Sequence, residues 1–228
     1  MNVLSLCDLT GNAVKPWANA GYKCFCIDIQ HTRKRTEGNI TFLPYDVLDL
    51  VTDDGMSLCD WLEWSFVFAW PPCTDLTNSS SGSWKRKGLS ALVKAAALVD
   101  HCKQIAEQSN APYLIENPVG QLSTYWRKPD YKFDPFEYGG YHGGFDDGYT
   151  KKTCLWTGND FKFPPKRPIE LCPETHDRIH KMSPSADRSN KRSISPVGFC
   201  QAVFEANHGG EFEPIDIPEP TTPQRELF

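Results

Sequence analysis

The chain has 228 residues, of which 39% are apolar and 23% charged, and this size and composition fit one large α/β domain. No apolar run approaches the roughly 20 residues of a membrane span, and the first residues lack the basic region of a signal peptide, so we expect a cytoplasmic protein without membrane contact. The nine cysteines contain no CxxC pair and lie mostly within apolar runs, which predicts reduced core cysteines and no metal site.

The net charge of −5 is concentrated at the C-terminal end of the chain. From Gly209 onward the sequence carries five acids and one base, so residues 1–208 are close to neutral. We predict that the acidic, proline-rich tail 209–228 is disordered. Basic clusters within 1–208, such as Lys151-Lys152, can contact phosphates, and solvated surface charge is an equal alternative for any single cluster.

Strands and helices alternate through the first half of the chain. The predicted elements, in chain order, are strand 3–7, turn 11–12, helix 13–20, strand 22–29, a short strand or turn at 42–46, strand 64–70, helix 89–109 and strand 113–116. The helix 89–109 has the clearest pattern, with apolar residues at i, i+3 and i+4 positions: Leu89, Leu92, Val93, Ala96, Val99, Cys102 and Ile105 or Ala106. This alternation predicts the α/β class, with a doubly wound, mostly parallel sheet and helices on its faces.

The second half of the chain is less regular. Segment 119–150 is rich in Tyr, Gly and Asp and allows one weak strand, whereas Thr153–Trp156 predicts a buried strand. Segment 158–195 is polar and proline-rich without periodicity, so we interpret it as a small irregular insertion. A last helix, with Ser195-Pro196 as cap and first turn, is predicted to run to about Asn207 and to complete one domain over 1–208.

Two of the predicted strands end in reactive side chains. The run 64–70 leads into Pro71-Pro72-Cys73, and the run 113–115 is followed by Glu116. If these strands are neighbours in a parallel sheet, both groups lie at its carboxyl edge, where open α/β sheets bind ligands. The pattern predicts a thiol nucleophile beside an acid, with a buried structural cysteine as the alternative for Cys73.

The first two strands end in groups that suit a nucleotide-type cofactor. The first is followed by Asp8-Leu9-Thr10-Gly11, and the second ends at Asp28. The glycine lets a ligand approach the backbone and the N-terminus of the next helix. An acid at the end of the second strand can accept hydrogen bonds from ribose hydroxyls, as in dinucleotide-binding folds. Because any α/β protein has a tight first turn, this signal alone is weak.

Taken in this order, the motifs resemble those of the DNA cytosine-5 methyltransferases, especially the compact phage-type members, over about 1–208. The residues that carry the resemblance are Asp8–Gly11 and Asp28 for the cofactor motifs, Tyr45-Asp46-Val47 for the adenine-contacting motif, Pro72-Cys73 and Glu116-Asn117 for the catalytic motifs, Lys151–Trp156 for the basic strand motif and Ser195–Asn207 for the closing helix. The resemblance implies the S-adenosylmethionine-dependent methyltransferase (Rossmann-like) fold, in a protein of restriction-modification type from a bacterial or phage-infected cell.

The resemblance also implies a role for each matching residue. The implied contacts to S-adenosyl-L-methionine come from Asp8, Leu9, Thr10, Gly11, Asp28, Ile29, Asp46, Val47 and Pro71. The implied catalytic residues are Cys73, as nucleophile, and Glu116, as the partner of cytosine N3. The implied contacts to nucleic acid come from Asn117, Lys85, Arg86, Lys151 and Lys152. The partner is then DNA with the target cytosine flipped out of the stack, bound by a monomer.

The implied reaction explains why these residue types are needed. Cytosine C5 is too weakly nucleophilic to attack a methyl donor, whereas addition of a thiolate to C6 makes C5 enamine-like. A carboxylic acid at N3 stabilises the charge that this addition creates. C5 then takes the methyl group, and loss of the C5 proton expels the thiol. Since a free thiol has a pKa of about 8.5, Cys73 needs activation, or addition coupled to protonation.

The chain departs from the family pattern in several places. Ala13 stands where the family has the second glycine of the first turn, and lysines stand where arginines are usual at 151–152, which favours single-point phosphate contacts. No sizeable target-recognition domain fits between Trp156 and Ser195, so we predict short or relaxed sequence specificity. The serine-rich segment Thr77–Ser83 is predicted to be a mobile lid or, equally, a plain flexible linker.

Two other functions stay open on the sequence. One is a related C5 modification of a free pyrimidine nucleotide, or a reaction with another one-carbon unit, which the missing recognition domain permits. The other is a catalytically silent DNA-binding or decoy protein. The presence of both Cys73 and Glu116 argues against the silent protein.

Overall fold

The computed structural model describes residues 1–209 apart from positions 53, 56, 58, 60–61, 79–80, 143–144, 175, 184 and 186–187. Residues 210–228 of the tail lie outside the described residues, so the disorder predicted for the tail stays a prediction. No helix in the described ranges has the length and apolarity needed to cross a membrane.

The described residues form one mixed sheet of eight strands. The strands are β1 Asn2–Leu6, β2 Lys23–Ile27, β3 Arg35–Glu37, β4 Ile40–Leu43, β5 Phe66–Ala69, β6 Tyr113–Pro118, β7 Tyr131–Phe133 and β8 Thr153–Gly158. Their order across the sheet is β3-β4-β2-β1-β5-β6-β8-β7. The five central strands from β4 to β6 are parallel, whereas the pairs β3–β4, β6–β8 and β7–β8 are antiparallel. The predicted α/β class and mostly parallel sheet are confirmed, in a topology compatible with a Rossmann-like fold.

Helices cover both faces of this sheet. They are α1 Lys15–Asn19, α2 Ser81–Gln108, α3 Leu122–Tyr125, α4 Arg178–Lys181, α5 Arg188–Ser193 and α6 Val197–Asn207. On one face, Trp17 of α1 packs 5.2 Å from the ring of Phe204 in α6, above Phe66 of β5. On the other face, Val99 and other apolar residues of α2 pack against the opposite side chains of the same strands. This division follows from the alternation of side chains along each strand.

Helix α2 differs from its prediction in length and in orientation. It begins at Ser81 and is kinked at Gly88, which has a φ of 75°. Leu89 and Val93, predicted to be core residues, are 79% and 66% exposed. The predicted residues Leu92, Val99, Cys102, Ile105 and Ala106 are buried or half-buried, whereas Ala96 is exposed and Ala95 packs against the core in its place. Of the segment Thr77–Ser83, predicted to be a mobile lid or a flexible linker, positions 79–80 lie outside the described residues, 81–83 belong to α2, and Thr77 is buried and forms a β-bridge with Gly120.

The structure also corrects smaller boundaries. The predicted helix 13–20 is a 3₁₀ turn at Asn12–Val14 followed by α1, and the weak strand predicted within 119–150 is β7. Helix α6 begins at Val197 with the extended Pro196 at its N-cap and no side-chain cap, so Ser195 lies outside it. The short helices α4 and α5 lie within the predicted irregular insertion, and β3 adds an edge strand that no sequence pattern indicated.

The strand order reverses at β1, and this point defines a crevice. Strand β1 pairs with β2 on one side and with β5 on the other, and Leu6 is in register with both Ile27 and Ala69. The carboxyl ends of these three strands are therefore level. Open α/β sheets bind ligands in the crevice outside such a reversal.

Candidate active site

The turn after β1 is held by Asp8, which is 4% exposed. One carboxylate oxygen accepts hydrogen bonds from the backbone N–H groups of Thr10 (3.1 Å) and Gly11 (2.7 Å). The other accepts from the Ser5 hydroxyl at 2.8 Å, and Ser5 in turn accepts from the indole N–H of Trp70 at 3.2 Å. Both oxygens are thus engaged inside the protein, so Asp8 shapes the turn that a cofactor would contact.

Gly11 could not be replaced without distortion. Its φ is 68°, in the left-handed region that favours glycine, and a Cβ there would lie 3.1 Å from the ring of Phe42. The neighbouring Leu9 is half-buried and Thr10 is exposed, so the turn presents backbone and small polar groups to the crevice.

The carboxyl ends of β2 and β4 carry the other predicted cofactor residues. Asp28 is 8% exposed and accepts from the Gln30 N–H at 2.7 Å, and burial raises the pKa of its carboxyl above the usual range. The adjoining Ile29 is 67% exposed, which leaves a large apolar side chain open beside it. Asp46 caps the next turn by accepting from the Leu48 N–H at 3.0 Å, whereas the Val47 side chain is buried in the core.

The loop after β5 is anchored by Asn117. Its amide donates to the Pro71 carbonyl at 2.9 Å, across the two neighbouring strands β5 and β6. Cys73 follows two residues later, half-buried, and its carbonyl accepts from the N–H groups of Leu76 and Thr77, both at 3.0 Å. The turn therefore presents the Cys73 thiol at the carboxyl edge of the sheet, where the sequence predicted it.

Glu116 lies at the same edge, on β6. Its Oε1 is 3.7 Å from the Lys151 Nζ, and both side chains are nearly buried. The contact exists because β8 runs antiparallel to β6, with Pro118 opposite Thr153, so the residues before β8 reach the carboxyl end of β6. Among the described residues, Glu116 Oε1 has no hydrogen-bond partner. A buried acceptor of this kind is available to a ligand.

The electrostatic environment of Cys73 has two opposing parts. Burial, and after it the charge of Glu116, raise the pKa of the thiol above its ordinary value. The cations of Lys151 and Arg192 act in the opposite direction and are outweighed. Cys73 therefore rests as a thiol at neutral pH, close to an acid and to two cations.

The residues predicted to contact nucleic acid are placed differently. Asn117 is only 1% exposed, which supports a positioning role for its side chain, and its contact with DNA stays a prediction. Asp134 accepts from the Lys151 N–H at 3.0 Å and forms an ion pair with Lys152, whose side chain is 55% exposed. Lys85 and Arg86 are exposed on the first turns of α2.

Sequence patterns missed several residues of this site. Ser5 and Trp70 support Asp8, and neither carries a recognisable motif. Helix α5 lies near both strand ends: the Asn190 side-chain amide donates to Gln30, after β2, at 3.1 Å, and the charge of Arg192 acts to lower the pKa of Cys73, after β5. The basic pair Lys191-Arg192 was the only signal for α5 in the sequence.

Within the described ranges, no group of three or more His, Cys, Asp or Glu side chains could hold a metal ion. No protein-family model matches this chain, and no curated protein matches it. The site is therefore defined by its geometry: a thiol, a carboxylate and a glycine turn at the carboxyl edge of a sheet compatible with a Rossmann-like fold.

Proposed function

We propose that the protein methylates cytosine C5 in DNA with S-adenosyl-L-methionine as donor, and that its sheet is an S-adenosylmethionine-dependent methyltransferase fold. The observation that carries this proposal is the pairing of Cys73 with Glu116. Cys73 follows β5 and Glu116 lies near the carboxyl end of β6, and these two strands are parallel neighbours. The charge of Glu116 raises the pKa of the Cys73 thiol. Cytosine methylation at C5 needs a nucleophile for C6 and an acid for N3, side by side.

The crevice at β1 fits the cofactor. Gly11 gives the first turn its positive φ, Asp28 can accept from ribose hydroxyls, and the exposed Ile29 offers an apolar surface to the adenine ring. The same edge is lined or shaped by the other predicted cofactor residues: Asp8, Leu9, Thr10, Asp46, Val47 and Pro71. When bound, S-adenosyl-L-methionine supplies an electrophilic methyl group.

The residues of this chain then act on the cytosine. The Cys73 sulfur forms a bond to C6, and the displaced electron pair makes C5 nucleophilic while Glu116 donates a proton or hydrogen bond at N3. After C5 has taken the methyl group, the C5 proton leaves to solvent, the C5–C6 double bond re-forms, the Sγ–C6 bond breaks to release the Cys73 thiolate, and N3 returns its proton to Glu116.

Because its pKa is raised, the Cys73 thiol has to lose its proton during the reaction and not before it. The thiol gives its proton to solvent as the flipped base arrives and addition begins. The two cations Lys151 and Arg192 stabilise the thiolate at that moment. Between turnovers, the protonated thiol is less prone to oxidation, because the thiolate is the reactive form.

The short insertion supports limited sequence specificity. Between β8 and α6 the described residues contain only the short helices α4 and α5, with no separate layer that could read several base pairs. We therefore propose a short or relaxed target, in DNA of a bacterial or phage-infected cell, with Lys85, Arg86, Lys151 and Lys152 contacting phosphates. The protein is proposed to act as a monomer on a flipped cytosine.

A covalent trap tests the proposal. The protein is incubated with S-adenosyl-L-methionine and DNA that contains 5-fluorocytosine, and adducts are detected by intact mass, with Cys73→Ala as the matched control. Because fluorine cannot leave as a proton does, a methylated adduct should accumulate with the native protein and be absent from the variant.

The possible outcomes separate the alternatives. A Cys73-dependent adduct with unmethylated DNA would favour another one-carbon donor. No adduct, together with normal cofactor binding, would favour a free pyrimidine nucleotide as substrate or a silent DNA-binding protein, and would overturn the proposal.

A further inference from the structure

A cavity of about 290 Å³ lies beside the loop that carries Cys73. It is bounded by residues on both sides of the α2 kink, by Asp75 of the Cys73 loop, and by Gln121 and Tyr125 of the segment that includes α3. Its volume is at the lower end of the roughly 300–1,000 Å³ of small-molecule sites, so it suits a single ring system rather than a longer segment. None of the steps proposed above uses this cavity.

The kink in α2 separates the residues that line the cavity. Gly88 has φ 75° and ψ −177°, a conformation that is almost confined to glycine. A continuous helix would hold Trp84 and Leu92 about two turns apart on one cylinder, whereas the kink sets the first turns of α2 at an angle to the rest. The side chains on either side of Gly88 then form two walls of one cavity.

The walls are aromatic and apolar, and one of them carries an open donor. Trp84 lines the cavity, and its buried Nε1–H has no hydrogen-bond partner among the described residues. Tyr125 is 72% exposed and Leu89 is 79% exposed at the same place. A buried donor without a partner is unfavourable, so it is available to a ligand that would accept its hydrogen bond.

The rim of the cavity is cationic. Lys85 lies on it and Arg86, next in the chain, is exposed, whereas Lys87 forms an ion pair with Asp75. Aromatic walls with a basic rim are the combination that binds single-stranded nucleic acid, since bases stack on aromatic rings and phosphates meet the cations. A peptide or a lipid would not need both the aromatic walls and the basic rim in a cavity of this volume.

Hydrogen bonds connect one wall of the cavity to the loop that carries Cys73. The Gln121 N–H donates to the Leu76 carbonyl at 2.8 Å, and its amide donates to Asn78 at 3.0 Å. Gly120 permits this contact, because a Cβ there would lie 2.2 Å from the Leu76 carbonyl oxygen. Loop 73–78 therefore forms one side of the catalytic edge and one side of the cavity.

We propose that this cavity binds an unstacked nucleobase of the DNA strand, close to the target cytosine. The proposal rests on the DNA substrate proposed above and adds a second base site to it. A base held by Trp84 and Tyr125 would strengthen binding of the strand beside the target cytosine, whatever the identity of that base. Trp84 and Tyr125 are then base-binding residues.

The test measures binding and does not need methyl transfer. The probes are a fluorescein-labelled thymidine strand, which contains no cytosine, and a strand of equal length made of abasic sites. The affinity ratio of the two probes measures what the bases contribute. For the native protein this ratio should be roughly tenfold or more, as expected for stacking on an aromatic residue.

Variants assign that ratio to the cavity. Tyr125→Ala should lower the ratio towards one, whereas Tyr125→Phe keeps the ring and should retain it. Because Tyr125 is largely exposed, neither change should unfold the protein, and thermal melting checks this. Lys85→Gln should weaken both probes equally and flatten their salt dependence without changing the ratio.

The result that overturns the inference is an equal ratio in the native protein and in Tyr125→Ala, or no dependence on bases at all. The proposed function fails separately. A protein that forms no Cys73 adduct but keeps the Tyr125-dependent ratio would bind bases without methylating them. A protein that forms the adduct but shows no such ratio would be a methyltransferase without this second site.

Discussion

The two sides of the crevice use their polar groups in opposite ways. After β1, both carboxylate oxygens of Asp8 accept hydrogen bonds from the protein itself. After β5 and at the end of β6, Glu116 Oε1 and Asn117 Oδ1 are buried without hydrogen-bond partners among the described residues, and Cys73 carries a thiol. The turn after β1 therefore satisfies its buried carboxylate without a ligand, whereas the end of β6 leaves two buried acceptors without a partner among the described residues.

This difference separates a binding surface from a reacting centre. A satisfied carboxylate stabilises one backbone conformation, so the turn after β1 keeps its shape without a ligand, as the proposed cofactor site requires. An unsatisfied buried acceptor is costly, and it persists where a ligand pairs with it. We therefore expect substitutions after β1 to lower stability, and substitutions at the end of β6 to lower activity.

The largest effect is expected from Glu116→Gln. Loss of the acid at N3 should reduce methyl transfer by about 10²-fold or more, while the free energy of unfolding falls less than in Asp8→Ala, because Glu116 Oε1 has no hydrogen-bond partner among the described residues and is 3.7 Å from the Lys151 Nζ. Initial rates and urea unfolding measure the two quantities, with Glu107→Gln, an exposed acid on α2, as control. A large loss of stability in Glu116→Gln would show that Glu116 stabilises the fold as Asp8 does. It would contradict the difference described between the two sides of the crevice.

Asp8→Ala should have the opposite profile. It leaves two backbone N–H groups and the Ser5 hydroxyl without their acceptor, and we expect a loss of about 3 kcal/mol in the free energy of unfolding. Asp46→Ala, which removes one cap hydrogen bond, should cost about 1 kcal/mol. Equal losses in the two urea titrations would show that the Asp8 turn is no more preformed than an ordinary cap.

Asp28→Ala should act on the cofactor alone. We expect S-adenosyl-L-methionine to bind roughly tenfold more weakly by calorimetry, with DNA binding unchanged, because a hydrogen bond to a charged group is lost. Glu63→Ala, an exposed acid before the amino end of β5, is the control. Equal losses for cofactor and DNA would remove Asp28 from its assigned role.

The pH dependence of cofactor binding sharpens the same point. Because burial raises the pKa of Asp28, its carboxylate is protonated at a higher pH than an ordinary aspartate. Cofactor affinity should therefore fall on acidification before most other carboxylates titrate. In Asp28→Ala this fall should disappear, and an unchanged pH profile would assign it to another group.

The smallest effects concern the reactivity of Cys73. Arg192→Gln removes a cation that lowers the pKa of this thiol, so the midpoint of its alkylation should move to higher pH. Glu116→Gln removes a charge that raises the pKa, so the midpoint should move to lower pH. Iodoacetamide labelling, followed by mass spectrometry of the Cys73 peptide, measures both. Shifts of the same sign would contradict the opposing charges around the thiol.

The sequence predicted those parts of the molecule that depend on local patterns. Apolar runs of strand length predicted β1, β2, β5, β6 and β8, and their alternation with helices predicted the parallel sheet. Once the strands were parallel neighbours, the position of Cys73 and Glu116 at one edge followed from chain direction alone. Gly11 was recognisable for the same reason, since a tight turn after β1 needs a positive φ.

Only the tertiary structure decided which of these residues touch. Asn117 meets the Pro71 carbonyl across 46 positions of the chain, and Lys151 reaches Glu116 because β8 inserts antiparallel beside β6. The exposure of Leu89 and Val93 depends on the kink at Gly88, which a helical periodicity does not register. Contacts between distant segments are set by packing and strand order, and a single sequence carries a periodic signal only for neighbours along the chain.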